Sequence, residues 1–199
     1  MRRDTLSGVA EPNFIGCWMP ENDVLCNRII EYFEQNGEAQ APGKTGTGRV
    51  DDSYKRSLDI YIRPKDLQRP EFEAFSEYIG LLHECFRDYT DQWDFLKTFL
   101  STVHVGGFNV QKYETGGHFG KLHSERTGLS KLHRVLVWMT YLNDVECGGE
   151  TEFPHFDLHV RPMKGRTLIW PAEWTHAHRG CVVEAGPKYI ITGWMHFSR

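Results

Sequence analysis

The stretches VHVGGFNVQKY at 103–113, RVLVWMTYLN at 134–143, RTLIWP at 166–171 and KYIITGWMHF at 188–197 are short runs rich in Val, Ile, Tyr, Trp and Thr, parted by glycine pairs and proline. Runs of this length and composition read as strands, and their spacing predicts an all-β sandwich or barrel from about residue 101 onward. In the last run Lys188, Ile190, Thr192, Trp194 and His196 share one face by the period of two, while Tyr189, Ile191, Met195 and Phe197 share the other. Both faces are largely apolar, which predicts a strand buried on both sides. A lysine on a buried face is costly unless an anion meets it, and Thr192 sets a hydroxyl on that same face. A bound dicarboxylate would satisfy both.

Upstream the pattern changes from strands to helices. Asn22 and Asp23 precede Val24, Leu25, Ile29, Ile30 and Phe33 at helical spacing, and Gly37 follows as a stop, which predicts an amphipathic helix over 21–35. Phe72, Phe75, Ile79, Leu82 and Phe86 mark one face of a second helix over 70–90, after Pro70. The turn-rich QAPGKTGTG at 40–48 and a short strand at 57–62 lie between them. The expectation is one α+β domain over 1–199, with helical support over about 1–100 packed on one sheet of a β core over about 101–199.

Composition narrows the function classes. Apolar residues make up 40% and charged residues 25%, as in ordinary soluble domains, and the net charge of −4 offers no attraction to nucleic acid or an anionic membrane. No apolar window is long enough for a membrane span, and MRRDTLSGVAEPNF lacks the apolar stretch of a secretory signal. Cys17, Cys26, Cys85, Cys147 and Cys181 are odd in number and scattered, so reduced thiols in the cytoplasm are the expectation. Nothing in the sequence speaks to oligomeric state.

His123 and Glu125 flank Ser124, and in an extended segment such a pair projects to one face, so imidazole and carboxylate can converge on one cation. A later imidazole completes two histidines and one carboxylate, a set that leaves coordination positions open on iron. His176 and His178 both qualify by spacing, and the residues alone do not choose between them.

Residues 109–197 resemble the prolyl 4-hydroxylase branch of the Fe(II)/2-oxoglutarate oxygenases, through YLNDVECGGETEFP at 141–154 and HRGCVVEAGPKYIITGWMHF at 178–197. The resemblance implies a double-stranded β-helix, also called a jelly roll. It implies Fe(II), 2-oxoglutarate and O2, with ascorbate as a candidate reductant. That family places a lysine ten residues beyond its distal histidine; His178 and Lys188 have this interval, which selects His178. By the same resemblance His123, Glu125 and His178 hold the metal, Lys188 meets the distal carboxylate of 2-oxoglutarate with Thr192 as hydroxyl partner, and Tyr113 and Tyr141 contact the co-substrate. Arg134, Trp194 and His196 match positions near the peptide substrate. Arg134 and Tyr141 have opposite parity, so either a bulge separates them or Arg134 lies at the barrel mouth.

Glu125 departs from the usual aspartate of this branch; it keeps the charge and adds a methylene. A carboxylate here also favours hydroxylation over halogenation, which needs that coordination site for halide. The expected reaction hydroxylates an unactivated C–H bond, with a prolyl residue of a peptide or protein first among substrates and a free amino acid or other small molecule as the alternative. Two rivals belong to other classes. A cupin-type metal enzyme would have no use for Lys188, and a non-catalytic binding module would not turn over 2-oxoglutarate.

Overall fold

The computed structural model describes residues 1–21, 23–46, 48–100 and 103–197. Asn22, read above as part of a helix start, lies outside the described residues, as do the first two positions of the expected β region.

The β-branched and aromatic runs pair into a nine-stranded antiparallel sheet. Its order is Arg2–Arg3, Gly16–Met19, Thr167–Pro171, Arg134–Tyr141, Lys188–Phe197, Phe108–Tyr113, Leu58–Ile62 and Ala41–Pro42, with Val103–Val105 also on Lys188–Phe197. A four-stranded sheet faces it, ordered Leu158–Val160, Thr151–Phe153, His178–Gly180 and Phe119–His123. Apart from the edge pairs Arg2–Arg3 with Gly16–Met19, Ala41–Pro42 with Leu58–Ile62 and Thr151–Phe153 with Leu158–Val160, strand neighbours are not consecutive along the chain. This crossing of strands between two facing sheets is the jelly-roll way of enclosing a core.

Two helices lie on the outside of the larger sheet: α1 over Val24–Gln35 and α2 over Glu73–Gln92. A 3-10 turn at Pro70–Phe72 feeds α2, because proline fits the first turn, where its missing N–H is not needed. Of the faces predicted to be apolar, Ile29 and Phe33 of α1 and Phe75 and Leu82 of α2 are buried and pack with Trp138, Ile191 and Met195 of the sheet, whereas Val24 at the start of α1 is exposed. The Tyr78 hydroxyl meets the Thr140 hydroxyl at 2.7 Å and gives this interface a polar tie.

The strand at 188–197 divides two cores by parity. Tyr189, Ile191 and Met195 face the helices, while Ile190 and Trp194 face the second core between the sheets, with Val137, Met139, Tyr141, Phe153 and Trp170. Gly193 is directly opposite Trp138, and a Cβ there would come within 2.6 Å of the indole, so the strand needs glycine for the ring to lie across it. The parity conflict at Arg134 resolves through a bulge: Met195 pairs with Leu136 and His196 with Arg134, which skips Val135. Arg134 is thereby turned to the inner face.

Candidate metal centre

The smaller sheet builds the site. His123 ends one strand and His178 begins its antiparallel neighbour, and the two are direct register partners. Cross-strand partners on one face bring their side chains together, and here the ring centroids are 4.5 Å apart. The chain bends just after His123, so Glu125 reaches the same point from beyond the strand end, not from within it. Its Oε1 lies 3.6 Å from His123 Nε2 and 3.7 Å from His178 Nε2. One donor atom from each of these residues falls within 4.8 Å of the other two, as a shared cation requires.

The donors are prepared for a metal. His123 Nδ1 is 2.8 Å from the carbonyl of Lys121, and His178 Nδ1 is 2.9 Å from the carbonyl of His176. A carbonyl can only accept, so each ring carries its proton on Nδ1 and turns the Nε2 lone pair to the centre, as metal-bound histidines do. Burial lowers the pKa of His123 and, with His123 alongside, lowers that of His178 to about 4, so both rings are neutral near pH 7. Phe119 stacks on His123 at 3.9 Å, and Trp170 meets His178 edge-on at 5.0 Å, so the rings cannot turn away. This donor set fits a divalent iron with open positions.

His176 stands apart. Trp174–His176 is a 3-10 turn, so His176 and His178 do not share a strand face as the spacing reading assumed. The His176 Nε2 is 2.9 Å from the carbonyl of Asn13 and thus tethers the N-terminal segment.

A cavity of about 1060 Å³ opens from the three ligands and is lined also by Lys188, Thr192, Tyr113, Arg134 and Trp194. Lys188 is 2% exposed, and its one hydrogen bond among the described residues goes to the Gly149 carbonyl at 2.9 Å. Burial lowers its pKa to about 8. An ammonium held this way, with donors to spare and no acid against it, suits an anion. The Gly148–Gly149 turn that places this carbonyl has φ of +76° and +73°, which glycine adopts without strain. The contact of this turn with Lys188 leaves no mark in the sequence.

The remaining predicted positions behave differently from one another. The Thr192 hydroxyl donates to the carbonyl of Trp138 at 2.9 Å, so in this geometry it offers lone pairs, not the proton expected of it. Tyr113 is the register partner of Lys188, its ring lies 4.7 Å beneath the ammonium, and its hydroxyl donates to Gln111 at 2.8 Å. Tyr141 is fully buried and does not line the cavity; its hydroxyl, 2.6 Å from Thr151 Oγ1, stands behind a residue that does. Arg134 donates to Glu125 Oε2 at 2.9 Å and stacks on Trp194 at 3.6 Å. His196 packs against His133 and His104 near the end of its strand and does not line the cavity. Two lining residues carried no motif and were missed. Lys55 is 3% exposed and pairs with Asp59 at 2.5 Å, and Asp59 also accepts from Gln111 at 3.2 Å.

Comparison with known proteins places this architecture. Residues 108–196 match the 2OG-Fe(II) oxygenase superfamily. A probable prolyl 4-hydroxylase 9 of Arabidopsis thaliana is 28% identical over 124 residues, 49% of this chain and 43% of that protein. The prolyl 4-hydroxylase subunit alpha-1 of Gallus gallus is 30% identical over 107 residues, 49% of this chain and 20% of that protein. The chain thus spans less than half the length of either relative. Among solved structures, a Pseudomonas putida prolyl-4-hydroxylase superposes with a TM-score of 0.71 at 15% identity, covering 94% of this chain and 95% of that one. A Trichoplax adhaerens prolyl hydroxylase in complex with a hypoxia inducible factor peptide fragment gives 0.72 at 15% identity, covering 94% and 84%. The fold is accordingly the double-stranded β-helix of these enzymes. By sequence over 108–196 this chain is similar to the 2OG-Fe(II) oxygenase superfamily and to prolyl 4-hydroxylases, and over nearly its whole length it shares the fold of solved prolyl hydroxylases.

Proposed function

We propose that the chain is an Fe(II)/2-oxoglutarate-dependent dioxygenase that hydroxylates a prolyl residue in a peptide or protein. The observation that carries this reading is the pairing of two preparations in one cavity: two neutral histidines and a carboxylate converging on a point, and a buried lysine without an anion. The iron and the keto acid supply the oxidation, with O2 consumed, 2-oxoglutarate converted to succinate and CO2, and one oxygen atom placed on the substrate. Ascorbate is the proposed reductant.

The protein's own residues do the rest. His123, Glu125 and His178 would hold the iron and leave positions open. Lys188 would receive the distal carboxylate, which restores its full charge, and Tyr113 would wall that pocket. Trp170, Met139 and Ile190 line the cavity and exclude water from the reacting groups. Arg134 and Trp194 would position the substrate beside Glu125. The peptide complex of the Trichoplax neighbour supports a peptide substrate, as does a cavity larger than iron and a five-carbon keto acid fill. Five free cysteines support a reducing, cytoplasm-like compartment.

The test is direct. Under argon, Fe(II) with 2-oxoglutarate should give a visible charge-transfer band that neither gives alone. In air, prolyl peptides should gain the mass of one oxygen while succinate accumulates in step. Absence of the band together with absence of succinate would rule the reading out.

A further inference from the structure

The whole chain carries a net charge of −4, yet the outer wall of the cavity is cationic. Lys44, Arg49, Lys121 and Lys131 line it from two segments far apart in sequence. The two segments are tied together where Lys131 donates to the Gly46 carbonyl at 2.9 Å. Among the described residues none of these four cations forms an ion pair, and Lys121 sits over the Tyr54 ring at 3.7 Å. Asp51 shares this rim, and its Oδ1 is taken by the Ser53 amide and hydroxyl at 3.0 and 2.6 Å. Deeper in the cavity, apart from Lys188 on its floor, charges are matched one to one: Lys55 with Asp59, and Arg134 with Glu125. Beyond Lys188, the unmatched positive charge is therefore concentrated at the mouth, where a substrate's flanking residues would lie.

Resting on the hydroxylase reading, we propose that this mouth binds an acidic, partly apolar peptide segment, with glutamate or aspartate on either side of the target residue. Its apolar part has somewhere to go, because Val50, Tyr61 and Leu122 line the same rim and are 50%, 60% and 45% exposed. The 2-oxoglutarate dianion does not account for the rim cations, since its distal charge is met on the cavity floor by Lys188. A cationic rim of this kind raises the encounter rate with acidic partners and turns basic ones away. Several exposed pairs, each weak alone, add up to a measurable preference.

The experiment uses the full chain with Fe(II) and 2-oxoglutarate under argon, and labelled proline-centred peptides flanked by glutamate, glutamine or lysine, followed by fluorescence anisotropy. The glutamate-flanked peptide should bind at least about 10-fold more tightly than the lysine-flanked one, and the gap should close as salt rises from about 0.05 to 0.5 M. Lys44→Glu with Arg49→Glu should reverse the order, and Lys44→Gln with Arg49→Gln should shrink it without adding charge. Equal binding of the three peptides, a lysine preference, or binding confined to small free acids would overturn the proposal. Succinate release is scored separately: turnover without an acidic preference sinks only this inference, whereas acidic-peptide binding without turnover sinks the hydroxylase reading and leaves the surface standing.

Discussion

Among the described residues no carboxylate forms an ion pair with the buried Lys188 ammonium, whose one hydrogen bond is to a carbonyl. Lys188→Ala should leave metal affinity in place and weaken 2-oxoglutarate binding by about 2–5 kcal/mol, the range for removing one side of a buried charge pair. Its pH dependence follows from burial. The empty protein holds this amine near pKa 8, while a bound carboxylate favours the charged form and raises that value. Below about pH 8 the cation is ready; above it, binding must take up a proton, so affinity falls as pH rises, approaching about ten-fold per pH unit. Calorimetry in two buffers of different ionisation heat would show the proton uptake, and a flat affinity from pH 7 to 9.5 would place the anion elsewhere. Glu125 raises a second question at this scale, since it is one methylene longer than aspartate. Arg134 holds Oε2 at 2.9 Å and leaves Oε1 toward the histidines, so the extra length is restrained by a guanidinium that Trp194 itself supports. Arg134→Met should lower Co(II) affinity by about 10–100-fold, as loss of an outer hydrogen-bond partner does. Glu125→Asp withdraws from the same contact, so the two changes should be non-additive by about 0.5–3 kcal/mol in a double-mutant cycle.

At the scale of elements, the strand Leu58–Ile62 joins the sheet beside Phe108–Tyr113 in the register Asp59 opposite Gln111. Lys55, Asp59, Ser57 and Gln111 form a polar knot in that seam, with Ser57 donating to Asp59 at 2.7 Å. Asp59→Ala strands the Lys55 ammonium at 3% exposure, and the expected loss of stability is about 3 kcal/mol by urea denaturation. Asp59→Ala with Lys55→Met should recover much of it. This knot was invisible in the sequence, because a lysine four residues before an aspartate looks like any solvated pair until strand pairing closes over it. Periodic elements were legible for the opposite reason, being set by near neighbours: α1 and α2 fall within three residues of the helices read from Phe33, Phe75 and Leu82. The partner of His123 was legible only through the interval to Lys188, since spacing treated His176 and His178 alike. What separates them is a 3-10 turn at Trp174–His176, whose tether to Asn13 spans 163 residues and leaves no local mark.

For the molecule as a whole, the two apolar cores contain none of the three proposed metal ligands. One core lies between the helices and the outer face of the larger sheet, and the other between the sheets, so the fold has its main hydrophobic support in place before any metal arrives. The ligands instead join two short neighbouring strands of the smaller sheet, where His178 faces His123 across the ladder. A metal there should act as a linked ligand on a chain already folded, not as a condition of folding. Chemical denaturation of the chelated protein should therefore remain cooperative. Divalent metal at a hundred times its dissociation constant should add about 2.7 kcal/mol, and EDTA should remove that increment. His178→Ala should abolish the increment, whereas His176→Ala should lower the baseline through its lost contact with Asn13 and keep the increment whole. If His176→Ala lost the increment while His178→Ala retained it, the register pairing of His178 with His123 would not be the metal site. If the chelated parent unfolded without a transition, the two cores could not be the source of the fold's stability.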